Sequence, residues 1–267
     1  MLLWKSWRDL RITFFVGLGW LALQLLAAIW VLLRGAHTLS TTIATPDQAV
    51  DSVGLFIVVQ TVVFALISSA LGTHGVGRDI GAGSGSFVLT RPVRRAFYVW
   101  SEWGAGLIAI AALLFLSVLD LWIMIRSHAF RIVFGTSTNG APPTPHAWTL
   151  ASLPVRVAAM DALCAFLLLA LVFALAHLGT VAFHHSTAGL LFCLGFFIGW
   201  LIVTGLIRHN VPWLAPHIPD LLLHPFGSIG IGPVRPVPHV FSSILERLAI
   251  LPLFPLAAQL LLGRTEV

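Results

Sequence analysis

Two carboxylates lie inside stretches of sequence that are otherwise apolar. Asp120 and Asp161 each fall within a run long enough to cross a membrane, where a charged side chain is costly and is therefore a functional candidate. Such a pair could serve an intramembrane enzyme, or could bind a substrate or a proton. The alternative is structural, because Arg126 and Arg156 flank the same helix ends and could form ion pairs with the two acids.

Histidines form the second set of candidates. His74, His177, His184 and His185 fall near the ends of two apolar runs. His74 and His177 would be the axial ligands of a haem-binding subunit if their imidazoles faced each other at one depth, whereas a metal site would need further Cys or carboxylate ligands. The other interpretation is that these histidines bond to lipid headgroups or to the backbone.

The motifs of soluble enzymes are absent from the sequence. There is no GxxxxGK[ST] loop to bind the phosphates of ATP, and no GxSxG, HExxH or CxxC sequence. We therefore expect that the chain is not an enzyme and that it holds no cofactor of its own.

The elements that must position these residues are membrane helices. Of the residues, 58% are hydrophobic and only 9% are charged, and the mean hydropathy is +0.96, values typical of a membrane protein. Six windows can each cross a bilayer as a helix: residues 12–33, 53–71, 104–125, 157–183, 188–207 and 244–262. Pro252 and Pro255 should kink the last of them. The sequence predicts an all-α polytopic membrane protein, with residues 1–267 forming a single transmembrane domain.

The distribution of basic residues predicts the orientation. Lys5, Arg8 and Arg11 precede the first window, whereas Arg34 alone follows it closely, so the positive-inside rule places both termini in the cytoplasm, with the chain in the cytoplasmic (inner) membrane. The net charge of +5 comes from residues clustered at membrane edges, which favours anionic lipids over nucleic acid as the partner.

The N-terminal residues 1–11 read as a helix lying flat on the membrane. Trp4 and Trp7 lie on one helical face, and Lys5 and Arg8 lie on the other. Tryptophan at headgroup depth beside basic side chains is typical of interfacial helices. The alternative is that these residues simply extend the first membrane span.

Residues 208–243, between the fifth and sixth windows, differ from an ordinary loop. They contain seven prolines together with apolar patches too short to span. We interpret the segment as a re-entrant hairpin that caps the outer side of the bundle.

Isolated polar and sulfur side chains also occur inside the spans. Gln24, Gln60 and Gln259 could join helices by hydrogen bonds or could line a path, and the sequence does not choose between these roles. Cys164 and Cys193 are expected to be small core residues and not a disulfide.

The loop between the second and third windows carries the most specific pattern. A charged pair, Arg78-Asp79, is followed by Gly83-Ser84 and then by the apolar run Phe87-Val88-Leu89, and Thr90-Arg91-Pro92-Val93-Arg94-Arg95 completes the segment. In order and spacing this segment, residues 78–95, resembles the loop between the second and third spans of ABC-2 type (type V exporter class) ABC transporter permease subunits. The N-terminal helix, the six spans and the outer hairpin resemble the same family.

The resemblance implies that the segment is a cytoplasmic coupling helix, which binds a separate ATPase subunit. The residues it assigns to ATPase coupling are Arg78, Asp79, Gly83, Ser84, Phe87, Leu89, Thr90, Arg91, Pro92, Arg94 and Arg95. It implies two ATPase copies that bind ATP and Mg, a homodimer or heterodimer of permeases, and export of a substrate that the sequence does not identify. Gly85 and Ser86 depart from the family, which commonly has an apolar residue and a glutamate there. The competing interpretation is an ordinary basic inner loop.

Overall fold

A computed structural model of the chain describes residues 2–38, 46–83, 95–126, 155–211, 213 and 240–264. Within these residues the regular structure is entirely helical, as the sequence predicts. The helices are α1 (Leu2–Thr38), α2 (Pro46–Gly72), α3 (Val76–Gly81), α4 (Arg95–Arg126), α5 (Val155–Phe183), α6 (Ser186–Asn210), α7 (Val240–Ile250) and α8 (Leu253–Arg264).

Five stretches of these helices are long and apolar enough to cross a membrane: Trp4–Ala27, Ala96–Asp120, Ala162–Phe183, Ser186–Ile207 and Ile244–Gly263. A shorter apolar stretch, Val59–Gly72, belongs to α2, and the side chains of α2 before residue 59 lie outside those described. The chain therefore has the helix content and the apolar lengths of a multi-pass membrane protein.

Helix α1 differs from the prediction of a separate interfacial helix over residues 1–11. It runs without interruption from Leu2 to Thr38, because no proline breaks its backbone hydrogen bonds. Ser6 and Leu10 are buried against the bundle, while Trp4 is 71% exposed. The N-terminal residues thus belong to the same unbroken helix as the first window, as in the alternative that the sequence left open.

Helix α5 is the centre of the bundle. It contacts α2, α3, α4, α6, α7 and α8, and its residues from Cys164 to His177 are buried except for the half-buried Phe166. Small side chains let the neighbouring helices approach closely, and they include Ala165, Ala170, Ala174 and Ala176. A helix that is apolar on all sides is expected in such a central position.

The last apolar window contains the predicted kink. Helix α7 ends at Ile250 and α8 begins at Leu253, so the break falls at Pro252, as expected from its missing N–H. Arg247 of α7 is buried, and its Nη1 donates to the backbone carbonyl of Cys164 at 3.3 Å. Most of the predicted outer hairpin, residues 208–243, lies outside the described residues.

Candidate functional site

Helix α3 is short, and polar side chains from three other helices converge on it at one end of the bundle. We call this group the α3 cluster. Its members are Lys5, Asp9 and Thr13 of α1, His74 to Asp79 at and within α3, Glu102 of α4 and His177 of α5.

Glu102 fastens α4 to the start of α3. Its side chain is buried, and one carboxylate oxygen accepts the backbone N–H of Val76 at 3.0 Å. Gly75, the residue before Val76, has φ of +106°, a conformation that favours glycine. A Cβ at this position would overlap the carboxylate of Glu102. The carboxylate therefore lies directly on the backbone of the α2–α3 connection, in a space that only glycine leaves free.

An ion pair joins α1 to the same short helix. Lys5 donates to Asp79, and each side chain is about a quarter exposed. Asp9, one turn further along α1, lies 3.7 Å from Arg8. Because the Lys5–Asp79 pair is only partly exposed and is also a hydrogen bond, it fixes α3 relative to α1 more firmly than a surface pair would.

His74 connects α1 to α3 through both ring nitrogens. Its Nε2 lies 3.0 Å from the hydroxyl of Thr13, and its Nδ1 lies 3.1 Å from Nη1 of Arg78. Since arginine can only donate, Nδ1 must accept and Nε2 must carry the proton. Burial lowers the pKa of His74 below its ordinary value of 6.5, the Arg78 guanidinium lowers it further, and the Asp9 carboxylate acts in the opposite direction. The ring is thus neutral at neutral pH.

His177 of α5 is 2% exposed and hydrogen-bonds the backbone of Gly72. The ring stacks on Phe173, with centroids 5.9 Å apart and planes within 10° of each other. Its Nε2 has no hydrogen-bond partner among the residues that the structure describes. A small cavity lies beside it, with Glu102 and His74 in its wall.

The backbone of α3 also lies against that of α5. A Cβ at Gly77 would come within 2.6 Å of the carbonyl oxygen of Thr180, so glycine is needed for this close approach. Val76 is completely buried and packs with Val181. Helix α3 is consequently fixed to α1, α4 and α5 at once.

A second polar group, the Gln60 network, lies between α1, α2 and α4. Gln60 accepts from Trp20 at 3.0 Å and from Gln24 at 2.5 Å, and it donates to Ser117 at 2.9 Å. With its amide turned over, Gln24 donates to Asp120 at 3.3 Å instead. The Gln60 network joins three helices by neutral hydrogen bonds, which favours the helix-joining role over the path for Gln24 and Gln60.

The predicted coupling residues divide between described and undescribed parts of the chain. Arg78 is exposed and Asp79 is partly buried, both on α3, and Gly83 follows the helix with φ of +77°. The structure describes the backbone of α4 from Arg95 onward. The side chain of Arg95 lies outside the described part. The predicted residues that lie outside the described part are Ser84, Phe87, Leu89, Thr90, Arg91, Pro92 and Arg94.

The predicted acid pair is described at one member only. Asp120 is buried on α4, whereas the side chain of Asp161, on α5, lies outside those described, as do the side chains of Arg126 and Arg156. The proposed ion pairs therefore stay predictions.

Two of the predicted histidines lie beside the same cavity, but they are not arranged as a pair of haem ligands. His74 and His177 line the same cavity. Both ring nitrogens of His74 are already hydrogen-bonded, so His74 has no nitrogen left to bind a metal. Among the described residues no three His, Cys, Asp or Glu side chains are grouped as a metal site would require.

Small residues of α5 and α6 include the two cysteines and a pair of glycines. Cys164 and Cys193 are buried and form no disulfide with each other, as expected. Gly195 and Gly199 of α6 are spaced as a GxxxG step, which would permit close helix contact, and both have open space where their Cβ atoms would be. No close helix contact is therefore made at this step by the part of the chain that is described.

Sequence reasoning missed Glu102 and Gly75. Glu102 precedes the predicted third window by two residues, and the sequence analysis did not distinguish it from other loop residues. Its position could have identified it as a candidate, because it is an acid at a membrane edge, one loop away from the glycine-rich GVGRD sequence. No protein-family model, curated protein or solved structure matches this chain.

Proposed function

We propose that the chain is the membrane-spanning permease subunit of an ATP-driven ABC exporter of the ABC-2 class. The observation that carries the proposal is the fixed position of α3, at the start of the loop whose residues 78–95 resemble the coupling segment of that family. Both termini and this loop lie on the cytoplasmic side, in a chain of six spans.

The contacts of α3 suit the transmission of a displacement. The backbone bond to Glu102, the ion pair of Lys5 with Asp79 and the packing of Gly77 on Thr180 reach α4, α1 and α5. A partner that closes on the adjoining residues 84–94 would move α3 as a rigid body, and three membrane helices would follow. An ordinary basic loop needs no such set of contacts.

The assembly follows from the same proposal. Two ATPase subunits bind ATP and Mg and supply the work, and two permeases, identical or sister chains, enclose the path between them. Residues 208–243 form the outer lid of that path. The substrate remains unidentified, and the direction of transport follows the family.

Cross-linked capture tests the partner. The tagged chain is isolated from native membranes after cross-linking, and a captured protein counts as the ATPase only if its sequence contains the phosphate-binding loop that this chain lacks. We expect the double variant Arg91→Glu with Arg94→Glu to lose most of this capture, because two charge reversals replace attraction by repulsion.

The matched control reverses two arginines in the predicted outer loops, Arg34→Glu with Arg131→Glu. It changes the net charge equally and should leave the capture at the wild-type level. Equal capture by both double variants would contradict the docking role of Arg91 and Arg94, and the absence of any ATPase from the wild-type sample would contradict the proposed function.

A further inference from the structure

One side of the first turns of α1 is exposed and carries both tryptophans and arginines. Its members are Trp4, Trp7, Arg8, Arg11 and Phe15, and Trp4 is 71% exposed. Positions 4, 8, 11 and 15 follow one another at three- or four-residue intervals, and residues at this spacing are neighbours on a helix surface. Arg8 therefore lies beside the tryptophans and not opposite them. We call this group the α1 patch.

The basic side chains of α1 divide between two sides of the helix. Lys5 faces α3 and donates to Asp79, so its charge is used within the bundle. Arg8 faces outward, with a side chain that is 60% exposed. Its Nε lies 3.7 Å from a carboxylate oxygen of Asp9, which is an ion pair but too long for a hydrogen bond. The described residues therefore leave the hydrogen-bond donors of Arg8 to an outside ligand.

Arg11 adds a second guanidinium one turn further along. It is exposed on the same side of the helix, and no ion pair joins it to an acid within the described part of the chain. Side chains three residues apart reach the same space above a helix, and the planar fork of each guanidinium matches the oxygens of a phosphate. The two arginines together favour an anion.

The exposed side of α1 continues from the arginines into an apolar surface. Ile12 is 70% exposed, and Phe15 and Val16 are also more than half exposed. Trp4 and Trp7 lie on the other side of the arginines, and tryptophan is typical of headgroup depth in a membrane. An anionic head joined to hydrocarbon chains matches this order of side chains, whereas a free anion matches only the arginines.

We propose that the α1 patch binds an anionic phospholipid, with its phosphate on Arg8 and Arg11 and its acyl chains along Ile12 and Phe15. Such a site needs only that this end of the bundle meets the membrane surface, so it does not rest on the exporter function. It is more specific than a general attraction between basic residues and anionic lipids, because Lys5 on the same helix has no part in it.

A lipid at this site would hold the turns of α1 to which the α3 cluster is bonded. Lys5 and Thr13 contact Asp79 and His74 from the inward side of those turns, while the lipid occupies the outward side. A ligand that binds only the folded chain stabilises it. The anionic lipid should therefore raise the thermal unfolding midpoint of the wild type, but not that of a variant without the two arginines.

Native mass spectrometry of the full chain in detergent tests the site. The protein is mixed with equal amounts of dioleoylphosphatidylglycerol, which is anionic, and dioleoylphosphatidylcholine, which has the same chains but no net charge. We expect the wild type to retain phosphatidylglycerol preferentially. Each arginine should contribute about fivefold to the preference, the factor expected for one basic residue at an anionic surface, so Arg8→Gln with Arg11→Gln should abolish it.

The matched control for each single arginine variant is Lys5→Gln. It removes the same charge from the same helix, but from the side that faces α3, and it should keep the wild-type preference. Glycerol phosphate, which has the anionic head without the chains, should not displace the bound lipid.

Tryptophan fluorescence places the lipid on the α1 patch. Brominated acyl chains quench tryptophan on contact, and the part of the quenching that disappears in Trp4→Phe with Trp7→Phe belongs to this patch. Brominated phosphatidylglycerol should quench that part more than brominated phosphatidylcholine does, and the two lipids should quench it equally once Arg8 and Arg11 are replaced by glutamine.

Three results would overturn the lipid site. The first is a preference for phosphatidylglycerol that survives in Arg8→Gln with Arg11→Gln. The second is an equal loss of preference in Lys5→Gln and in the single arginine variants. The third is displacement of the lipid by glycerol phosphate, which would show that the arginines bind a free anion.

Discussion

Helix α4 carries two buried acids with very different surroundings. Glu102 and Asp120 are separated by about 27 Å along the helix at 1.5 Å per residue, nearly the thickness of a bilayer core. Glu102 accepts a backbone N–H from another segment and lies near charged side chains. Asp120 adjoins the neutral amide of Gln24.

The difference separates a mechanical role from a packing role. Glu102 fixes the position of α3, so a change at this acid alters how a connection between helices is held. Asp120 belongs with the Gln60 network, whose bonds join α1, α2 and α4 further along the same helix. An acid in a membrane helix is therefore assigned a role by what it bonds, and not by its cost alone.

The largest loss of stability is expected when a methyl group is added beside Glu102. Gly75→Ala places a Cβ where the carboxylate lies and also strains a backbone with φ of +106°. Strain and the lost bond to Val76 together should cost about 4 kcal/mol, which a large fall in the thermal unfolding midpoint in detergent would show. The matched control is Gly83→Ala, which has a φ of +77° but open space around its Cβ, and it should cost about 1 kcal/mol. Equal losses in the two variants would contradict the close packing of Glu102 on Gly75.

Removing the two acids compares the regions directly. Glu102→Ala leaves the N–H of Val76 buried without its partner and enlarges the cavity, at a cost of about 3 kcal/mol. Asp120→Asn keeps the shape and hydrogen-bonding capacity of the side chain within a group of neutral amides, and it should cost less than about 1 kcal/mol. The same unfolding measurement checks both variants. A greater loss from Asp120→Asn would reverse the roles assigned to the two acids.

Disruption of the Gln60 network should lower the free energy of unfolding by a smaller amount. Gln60→Leu removes hydrogen bonds to Trp20, Gln24 and Ser117 and should cost about 1–2 kcal/mol, since each bond within a membrane contributes about 0.6 kcal/mol. Gln259→Leu removes the single exposed bond to Trp100 and should cost about a third as much. If the two variants unfold at the same temperature, Gln60 does not hold the network together.

The smallest effect concerns the pH dependence of His74. Because its folded-state pKa is lowered from 6.5, its contribution to stability is present above pH 6.5 and is lost as the pH falls toward the lower folded value. Protonation of Nδ1 also breaks the bond from Arg78. The unfolding midpoint of Glu102→Gln should fall in this acid range, and a further His74→Gln change should reduce that fall. An unchanged profile in the double variant would show that another group titrates there.

The helical fold could be predicted from the sequence, and the α3 cluster could not. Long apolar runs determine helices because a membrane leaves the backbone no other partners, and Pro252 marked its own kink. The N-terminal residues, predicted as a separate flat helix, are continuous with the first window in α1, and tryptophans beside lysine suit both an interfacial helix and the end of a span. Glu102 was missed because its partner is a backbone N–H on another segment, and no local pattern encodes that pairing. Gln60 was identified as polar, but only the packing of α1, α2 and α4 revealed its partners.

The central claim is that the loop after α3 faces the cytoplasm and meets an ATPase, and labelling of a single cysteine tests it most directly. The natural Cys164 and Cys193 are buried, so Arg91→Cys introduces a thiol that a membrane-impermeant maleimide can distinguish. The proposal predicts labelling in inside-out vesicles, weaker labelling when the ATPase is bound, and none in intact cells. Labelling of position 91 from outside intact cells would contradict it.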